Sequence, residues 1–216
     1  MDFLGSDVTV VNAARVSFEN HYENFTENDA ELIKYLAEHG DWTPFGHPQL
    51  QFKISAPIFV ARQLAKHQVG LVWNETSRKY VDTDPELFLD GIPKQWRKDI
   101  VDKTQDLKKE TITLSLEDQR KIERSQIFAL EAYKMLLLSD VAPEQARMLL
   151  PQSMYTEWYW TGSLLAFSRI CNVNLLLNAQ EETRDVTQEI AILIQPHFPI
   201  SWEHLMKNKE ERVLNG

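Results

Sequence analysis

The first clear pattern of apolar and polar positions along the chain lies in residues 26–40 and has the spacing of a helix. Across this stretch apolar side chains recur every three or four positions, which is typical of an amphipathic helix. Thr26 or Asn28 can cap the N-terminus, and Gly40 can adopt the left-handed conformation that ends a helix. The pattern therefore predicts a helix between these residues.

The period changes in the next segment. In residues 49–55, Leu50, Phe52 and Ile54 alternate with polar residues, which predicts a half-buried strand. Pro57 follows at a position that the first turn of a helix tolerates, and helical spacing of apolar residues then resumes. We therefore expect a second helix over residues 57–68, which Gly70 stops.

Helices and strands continue to alternate irregularly along the rest of the chain. Residues 82–115 are polar and contain proline and glycine, so they are predicted as a long loop or lid. Helices are predicted over residues 116–138, 143–150, 163–171 and 179–195, and a strand over residues 154–161. No linker is visible, so the prediction is a single mixed α/β (α+β) domain over residues 1–216.

The composition excludes several classes of protein. The 216 residues carry 23 Lys plus Arg against 32 Asp plus Glu, and this acidic balance argues against a nucleic-acid partner. A single cysteine excludes an intrachain disulfide and a cysteine-rich metal cluster, and it is typical of a reducing compartment. No apolar run is long enough for a membrane span and no signal peptide is expected, which predicts a cytoplasmic protein without membrane partners.

Basic residues concentrate in one short segment of this acidic chain. Residues 61–80 contain Arg62, Lys66, Arg78 and Lys79 against Glu75 alone. This segment, which we call the basic island, indicates a local anion site. The alternative interpretation is chance clustering on a solvated helix.

The first half of the basic island combines three kinds of polar side chain. If the helix reaches residue 68, Gln63, Lys66 and His67 share one face, because they are three and four positions apart. An amide, an ammonium and an imidazole can together bind an anion or the polar edge of a heterocycle. A solvated helix end would carry the same residue types.

The second half of the basic island follows the helix. Its hydroxyls and cations, at Thr76, Ser77, Arg78 and Lys79, together with turn backbone N–H groups, suit a phosphate. An ordinary surface turn is the alternative.

Most other templates for catalytic or metal chemistry are missing. The six histidines include no His-x-x-x-His pair, so no metal site is predicted. Cys171 lies in an apolar helical segment, where a buried structural thiol is a better interpretation than a nucleophile. With seven glycines and no glycine-rich phosphate motif, any phosphate site must use side chains and helix ends.

Four blocks of the sequence carry a resemblance to a known family. They are Ala13-Ala14-Arg15-Val16-Ser17-Phe18; residues 32–40 with Thr43-Pro44-Phe45-Gly46-His47; residues 56–63 running into Asn74-Glu75-Thr76-Ser77; and Leu150-Pro151-Gln152-Ser153-Met154-Tyr155-Thr156 through Ala179-Gln180-Glu181-Glu182-Thr183-Arg184. Their order and spacing resemble those of the flavin-dependent thymidylate synthases. The resemblance implies an antiparallel-rich sheet packed with helices, and an enzyme that makes dTMP from dUMP without a catalytic cysteine.

The sequence also departs from that family at several arginines. The family pattern Arg-His-Arg, seven residues, Ser is here Lys66-His67-Gln68, eight residues, Ser77. Glu157 occupies the position of a family arginine that contacts the nucleotide. Asn174 occupies the position of a family arginine that lines the flavin. Because Arg and Lys are not equivalent at bidentate sites, these changes predict weaker binding or a changed ligand.

The resemblance also implies ligands and roles. FAD would be held where subunits of a homotetramer meet, by Thr43, Lys66, His67, Gln68, Glu75, Asn174 and Asn178. The nucleotide would be held by Gln63, Lys66, Glu75, Thr76, Ser77, Arg78, Lys79 and Arg184. Arg184 would also be catalytic, favouring the ionised N3 of the pyrimidine before the ring is reduced at C6. Methylenetetrahydrofolate would supply the carbon unit, and NADPH would reduce the flavin.

Several of these residue roles, and the proposed activity itself, have an alternative interpretation. Ser77 could be a turn serine, His67 a helix-surface histidine, and Arg184 the partner of Glu181 in an ion pair. The aromatic residues 158–160 are better interpreted as core or subunit contacts than as stacking platforms. The enzyme could instead methylate or hydroxymethylate another pyrimidine nucleotide such as dCMP, because Glu157 could accept from an exocyclic amine. A third hypothesis is a non-catalytic nucleotide-binding relative.

Overall fold

Periodicity and capping residues define most elements in the computed structural model of the chain. The structure describes residues 1–18, 21, 23–81, 84–88, 96–98, 110–176 and 178–206. The strands are β1 (Asp2–Leu4), β2 (Gln49–Pro57), β3 (Leu71–Glu75), β4 (Trp96–Arg97), β5 (Thr111–Ile112) and β6 (Tyr155–Ser163). The α-helices are α1 (Asp7–Arg15), α2 (Glu27–His39), α3 (Ile58–Leu64), α4 (Leu116–Leu138), α5 (Pro143–Ala146), α6 (Leu164–Asn174), α7 (Glu181–Ile194) and α8 (Pro199–Leu205). Short 3-10 helices span Val16–Phe18, Thr43–Gly46 and Arg147–Leu149.

Four of the strands form one sheet in the order β1-β2-β6-β3, and β4 pairs with β5. In the antiparallel β1–β2 pair, Phe3 lies opposite Leu50. Along β2 and β6 buried and less buried side chains alternate, as expected for strands with one face on a core. The predicted mixed α/β fold with an antiparallel sheet is confirmed.

The described residues divide into two compact units. The first is drawn from Met1–Ile54, Gln63–Asn74 and Trp158–Gly216, and the second from Ser55–Arg62 and Glu75–Glu157. The chain passes from one unit to the other within β2, α3, β3 and β6. The single domain expected over residues 1–216 stays a prediction.

Aromatic side chains fill the core of the first unit. The ring of Trp73 stacks on Trp158 with centroids 4.4 Å apart, and Trp160 meets Phe167 edge to face at 5.4 Å. Trp158 is 1% exposed and Trp160 is fully buried, which confirms that they are core residues. Tyr159, which lies between them on β6, is 51% exposed and is not part of this core.

A buried carboxylate caps the last helix of the first unit. Asp7, at the start of α1, accepts hydrogen bonds from the backbone N–H groups of Ile200 (2.9 Å) and Ser201 (3.0 Å). These N–H groups belong to the first turn of α8 and have no partner within the helix. The contact therefore fixes α1 and α8 to each other.

One glycine of the first unit is required by close packing. A Cβ atom built on Gly162 would lie 2.6 Å from the carbonyl oxygen of Gly70 and 2.6 Å from Leu71 Cδ2. Gly70 itself has a φ of +77°, in the turn that leads into β3. A side chain at position 162 would displace this turn.

Several predicted boundaries are wrong. Pro57 ends β2 instead of starting a helix, and α3 ends at Leu64 and not at residue 68. Gln63 is therefore helical, whereas Lys66 and His67 lie in the turn that follows, so the three residues do not share a helix face. The backbone shows how the helix ends early, because the His67 N–H bonds the Leu64 carbonyl at 3.0 Å, an i to i−3 contact that closes a turn. The sequence prediction contains no counterpart of β1, α1, β3 or α8.

The long helix of the second unit matches its predicted bounds. Helix α4 spans Leu116–Leu138, with Ser115 as its N-cap. Ile127 and Phe128 are exposed, and Tyr133 is the buried residue of the helix. Much of the predicted loop at 82–115 lies outside the described residues.

Candidate nucleotide and cofactor sites

A cavity of about 450 Å³ lies within the second unit. This volume is in the range of small-molecule sites. The cavity is lined by Ser55, Ile58, Arg62, Glu75, Thr76, Arg78, Val81, Asp84, Glu86, Arg147, Met148, Leu150, Gln152, Met154, Tyr155, Thr156 and Glu157. The lining combines three guanidinium groups and four carboxylates with hydroxyl, amide and apolar groups.

The end of β3 and the start of β6 hold one wall of the cavity. The Thr76 N–H donates to the Glu157 carbonyl at 2.8 Å, so the backbones of the two segments are paired here. The Thr156 hydroxyl, on a buried residue, donates to Glu75 Oε1 at 2.7 Å and fixes that carboxylate. The predicted nucleotide residues Glu75 and Thr76 are thereby held at the cavity by a strand pair.

A second wall comes from residues 84–88. Leu87 forms an antiparallel bridge with Met154, and the Tyr155 N–H donates to the Glu86 carbonyl at 2.9 Å. Asp84, at the start of this segment, is paired with Lys134 of α4 at 2.8 Å. One of the four cavity carboxylates is thus balanced by a lysine that does not line the cavity.

Two arginines of the cavity are available for an anion. Arg62 lies on α3 and Arg147 on the 3-10 helix Arg147–Leu149, and both are exposed. Within the described parts of the chain, neither guanidinium group forms a hydrogen bond or an ion pair. Arginine is well suited to bind a phosphate because it can donate two parallel hydrogen bonds.

The phenol of Tyr155 adds a neutral donor to the cavity. Burial, together with the nearby charge of Glu86, raises the pKa of Tyr155 above its ordinary value. The hydroxyl therefore keeps its proton at neutral pH and can donate a hydrogen bond to a ligand.

Ser77 and Lys79, the next two predicted nucleotide residues, lie in a turn beside the cavity lining. Ser77 Oγ accepts from the Lys79 N–H at 3.3 Å, and the Ser77 carbonyl accepts from the Tyr80 N–H at 3.0 Å. This is the geometry of a turn serine. The serine hydroxyl keeps its own proton for donation, so a role in binding the nucleotide stays a prediction.

The other predicted residues belong to the first unit, where two pairs of them are in contact. Lys66 Nζ donates to Gln63 Oε1 at 3.0 Å on the surface. Asn174 Nδ2 lies 3.1 Å from His67 Nε2, and Asn174 is 4% exposed. Burial lowers the pKa of His67, which favours the neutral imidazole.

The remaining predicted cofactor residues are exposed. Thr43 begins the 3-10 helix Thr43–Gly46, Gln68 follows His67, and Asn178 precedes α7. The ammonium, amide, hydroxyl and imidazole groups of this set are donors, and a flavin nucleotide offers phosphate, carbonyl and ring-nitrogen acceptors. The residues present therefore fit the group chemically.

The predicted catalytic Arg184 is a half-buried residue of the first turn of α7. Its backbone N–H donates to the Gln180 carbonyl at 2.9 Å. Its role towards the pyrimidine stays a prediction.

Sequence reasoning missed Arg147 as a cavity residue. The available signal was a lone arginine in an otherwise apolar run, Ala146-Arg147-Met148-Leu149-Leu150, just before the fourth block. Arg62 is part of the basic island, but it is not among the residues predicted to bind a ligand.

Two further properties concern the residues that the structure describes. In that part of the chain, no group of His, Cys, Asp and Glu side chains could hold a metal ion, and no helix is long and apolar enough to cross a membrane. Cys171 is buried, and its thiol donates to the Thr187 carbonyl at 3.6 Å. Its predicted structural position is confirmed.

Comparison with known proteins identifies the family. Residues 1–200 match the family described as thymidylate synthase complementing protein. The flavin-dependent thymidylate synthase of Thermosipho africanus is 36% identical over 208 residues, which cover 96% of this chain and 89% of the relative. That of Thermus thermophilus is 35% identical, covering 100% of this chain and 81% of the relative. The chain belongs to the flavin-dependent thymidylate synthase family, and the prediction of an enzyme of this class is confirmed.

Solved structures agree with this assignment. The chain is similar to a UMP/dUMP methylase, PolB, from Streptomyces cacaoi, in a crystal structure bound with 5-Br dUMP. The TM-score is 0.78 at 26% identity, with 94% of this chain and 92% of that chain covered. A second PolB structure, bound with 5-Br UMP, gives a TM-score of 0.73.

Proposed function

We propose that the protein catalyses the reductive methylation of dUMP to dTMP, with methylenetetrahydrofolate as the carbon donor and NADPH-reduced FAD as the hydride source. The observation that carries this proposal is the cavity of the second unit. It presents the guanidinium groups of Arg62 and Arg147, which have no partner among the described residues, beside the predicted nucleotide residues Glu75, Thr76 and Arg78. The structural neighbour PolB, bound with 5-Br dUMP, supports a uridine monophosphate as the ligand.

The residues of this chain would bind and orient the nucleotide. In the proposal, Arg62 and Arg147 bind the phosphate, since a dianion needs paired cations when it leaves water. The Tyr155 hydroxyl and the Gln152 amide offer hydrogen bonds to sugar or base. Arg184 would stabilise the negative charge that develops when N3 of the pyrimidine ionises.

The flavin would be bound by the donors of the first unit. Reduced FAD, when bound, would supply the hydride, and NADPH would reduce it again. The predicted homotetramer and a cytoplasmic location belong to the same proposal, and the family of the relatives supports the flavin.

The test is an absorbance spectrum of the purified protein followed by an assay for dTMP. We expect a flavin spectrum, and dTMP from dUMP that requires both methylenetetrahydrofolate and NADPH. Omitting each cosubstrate in turn is the control. Colourless protein that binds no added FAD and forms no dTMP would contradict the proposal.

A second candidate substrate follows from Glu157, which lines the cavity. A carboxylate accepts hydrogen bonds, so it could bind the exocyclic amine of a cytosine ring and favour dCMP. Tritium release from C5 of dUMP, dCMP and UMP compares the substrates, with UMP included because PolB also binds 5-Br UMP. Preference for dCMP that Glu157→Gln abolishes would establish this alternative, and preference for dUMP would remove it.

A further inference from the structure

One hydrogen bond in the first unit defines the chemical state of a predicted cofactor residue. Asn174 is the last residue of α6, and His67 lies in the turn after α3. Asn174 Nδ2 makes two contacts, with the Ile170 carbonyl at 3.0 Å and with His67 Nε2 at 3.1 Å. The amide nitrogen has two hydrogens, so both contacts can be hydrogen bonds at once.

The Ile170 carbonyl settles which way the Asn174 amide is oriented. A carbonyl oxygen can only accept, so the group that faces it must be the NH2 and not the oxygen of the amide. A flipped amide would place two acceptors 3.0 Å apart. The same NH2 then donates its second hydrogen to His67 Nε2.

The protonation of His67 follows from this orientation. Nε2 can accept a hydrogen bond only if it carries no hydrogen, so the imidazole is neutral with its proton on Nδ1. Among the residues that the structure describes, none bonds to Nδ1 of His67. The ring therefore retains one N–H group for a ligand.

We propose that Asn174 is a positioning residue, which fixes His67 as the neutral Nδ1–H tautomer so that His67 donates a hydrogen bond to an acceptor atom of the bound flavin. The ligand part of this inference rests on the proposed function. The tautomer part does not, because it depends only on the contacts between Ile170, Asn174 and His67.

The tautomer is tested by 15N NMR of the histidines in flavin-free protein, with His67→Gln used to assign the signal. We expect His67 to be neutral at pH 7 with its proton on Nδ1. In Asn174→Leu, which cannot donate, we expect the proton to move to Nε2. A matched control is Ser168→Ala on the same helix, because the Ser168 hydroxyl donates to the Leu165 carbonyl at 2.8 Å and not to His67.

The outcomes separate the two parts of the inference. If His67 of the unaltered protein is charged at pH 7, or carries its proton on Nε2, the positioning role is wrong even if Asn174→Leu does not fold. If the tautomer is as expected, Asn174→Leu should weaken FAD binding about three- to tenfold, the effect of one lost neutral hydrogen bond, while Ser168→Ala should not. Unchanged FAD affinity in Asn174→Leu would overturn the ligand part. Failure of the unaltered protein to bind FAD would instead contradict the proposed function and leave the tautomer result standing.

Discussion

The cavity of the second unit and the His67–Asn174 pair of the first unit hold their polar groups in different ways. Around the cavity, Arg62 and Arg147 have no partner among the described residues, so their charges are available to a ligand. At the other site, Asn174 is buried and both of its amide hydrogens are used. The first arrangement suits an anion, and the second suits a neutral acceptor.

This difference is how we expect a chain with a formal charge of −9 to bind the proposed anionic ligands. The cavity lining is not positive overall, but the guanidinium groups of Arg62 and Arg147 have no partner among the described residues, whereas the predicted flavin residues Gln68 and Asn174 are neutral. Charged hydrogen bonds from these two arginines should therefore contribute most to nucleotide binding, and neutral hydrogen bonds should contribute more to flavin binding.

The largest effect is expected for the cavity arginines. Replacement of both, in Arg62→Ala/Arg147→Ala, should weaken dUMP binding at least about 100-fold, because each charged hydrogen-bonding group contributes roughly 1.5–3 kcal/mol. Isothermal titration calorimetry at constant ionic strength measures this change.

The matched control for that pair is Arg124→Ala, an exposed arginine of α4 that does not line the cavity. It should leave the dUMP dissociation constant within about twofold, the usual effect of a surface change away from a site. Equal losses in the control and the double variant would show that the cavity arginines act only through general charge.

A large change in stability, without a matching change in nucleotide affinity, is expected at Gly162. Gly162→Ala would place a Cβ atom 2.6 Å from the Gly70 carbonyl oxygen, and overpacking of this kind costs about 1–3 kcal/mol. Chemical denaturation measures the free energy of unfolding. Gly46→Ala is the control, since its Cβ would meet Trp42 at 3.8 Å, an ordinary contact. An equal loss in both variants would contradict this account.

A pH-dependent effect is expected at Asp29, which is 2% exposed. Burial opposes its ionisation, but hydrogen bonds from Thr26 and the guanidinium of Arg15 outweigh burial and hold the pKa of Asp29 below its ordinary value. Ionised Asp29 therefore stabilises the fold above the unfolded-state pKa of about 3.9, and this contribution is lost as the pH falls through the lower folded-state pKa.

Asp29→Asn measures that contribution. At pH 7 the variant should lose about 1–3 kcal/mol of unfolding free energy, and its difference from the unaltered protein should shrink below about pH 4. Denaturation curves at several pH values test this, with the exposed Asp41→Asn as control. A difference that stays constant down to about pH 2 would contradict the assigned cause.

The smallest effect is expected for Cys171. Its thiol is buried and bonds a backbone carbonyl, so it cannot act as the nucleophile of a thiolate mechanism. Cys171→Ala should keep its rate of dTMP formation within about twofold, at a cost in stability of roughly 1 kcal/mol. Loss of activity in a folded variant would show that the cysteine takes part in the reaction.

Local signals in the sequence were sufficient for elements whose ends are capped. Helix α2 begins after Thr26 and ends at Gly40, whose φ of +77° is the left-handed conformation expected there. The end of α3 could not be read in this way, because Ala65, Lys66 and His67 all tolerate a helix and no breaker precedes Gly70. The short elements β1, β3 and α8 depend on tertiary pairing and were missed.

The cavity residues likewise divide into those that local sequence signals predict and those that only the tertiary structure brings together. Thr76 and Arg78 are predicted from the hydroxyls and cations that are adjacent in the basic island, and Glu75 from the family resemblance. Arg147 lies far along the chain from them, and only the fold brings it to the same cavity. A resemblance of local blocks does not report such a contact.

The central claim is that the cavity of the second unit binds the phosphate of the substrate. A crystal structure of the protein with dUMP tests it most directly. We expect the phosphate oxygens of dUMP to lie within hydrogen-bonding distance of Arg62 and Arg147. A nucleotide bound in the crystal whose phosphate contacts neither arginine would contradict the claim.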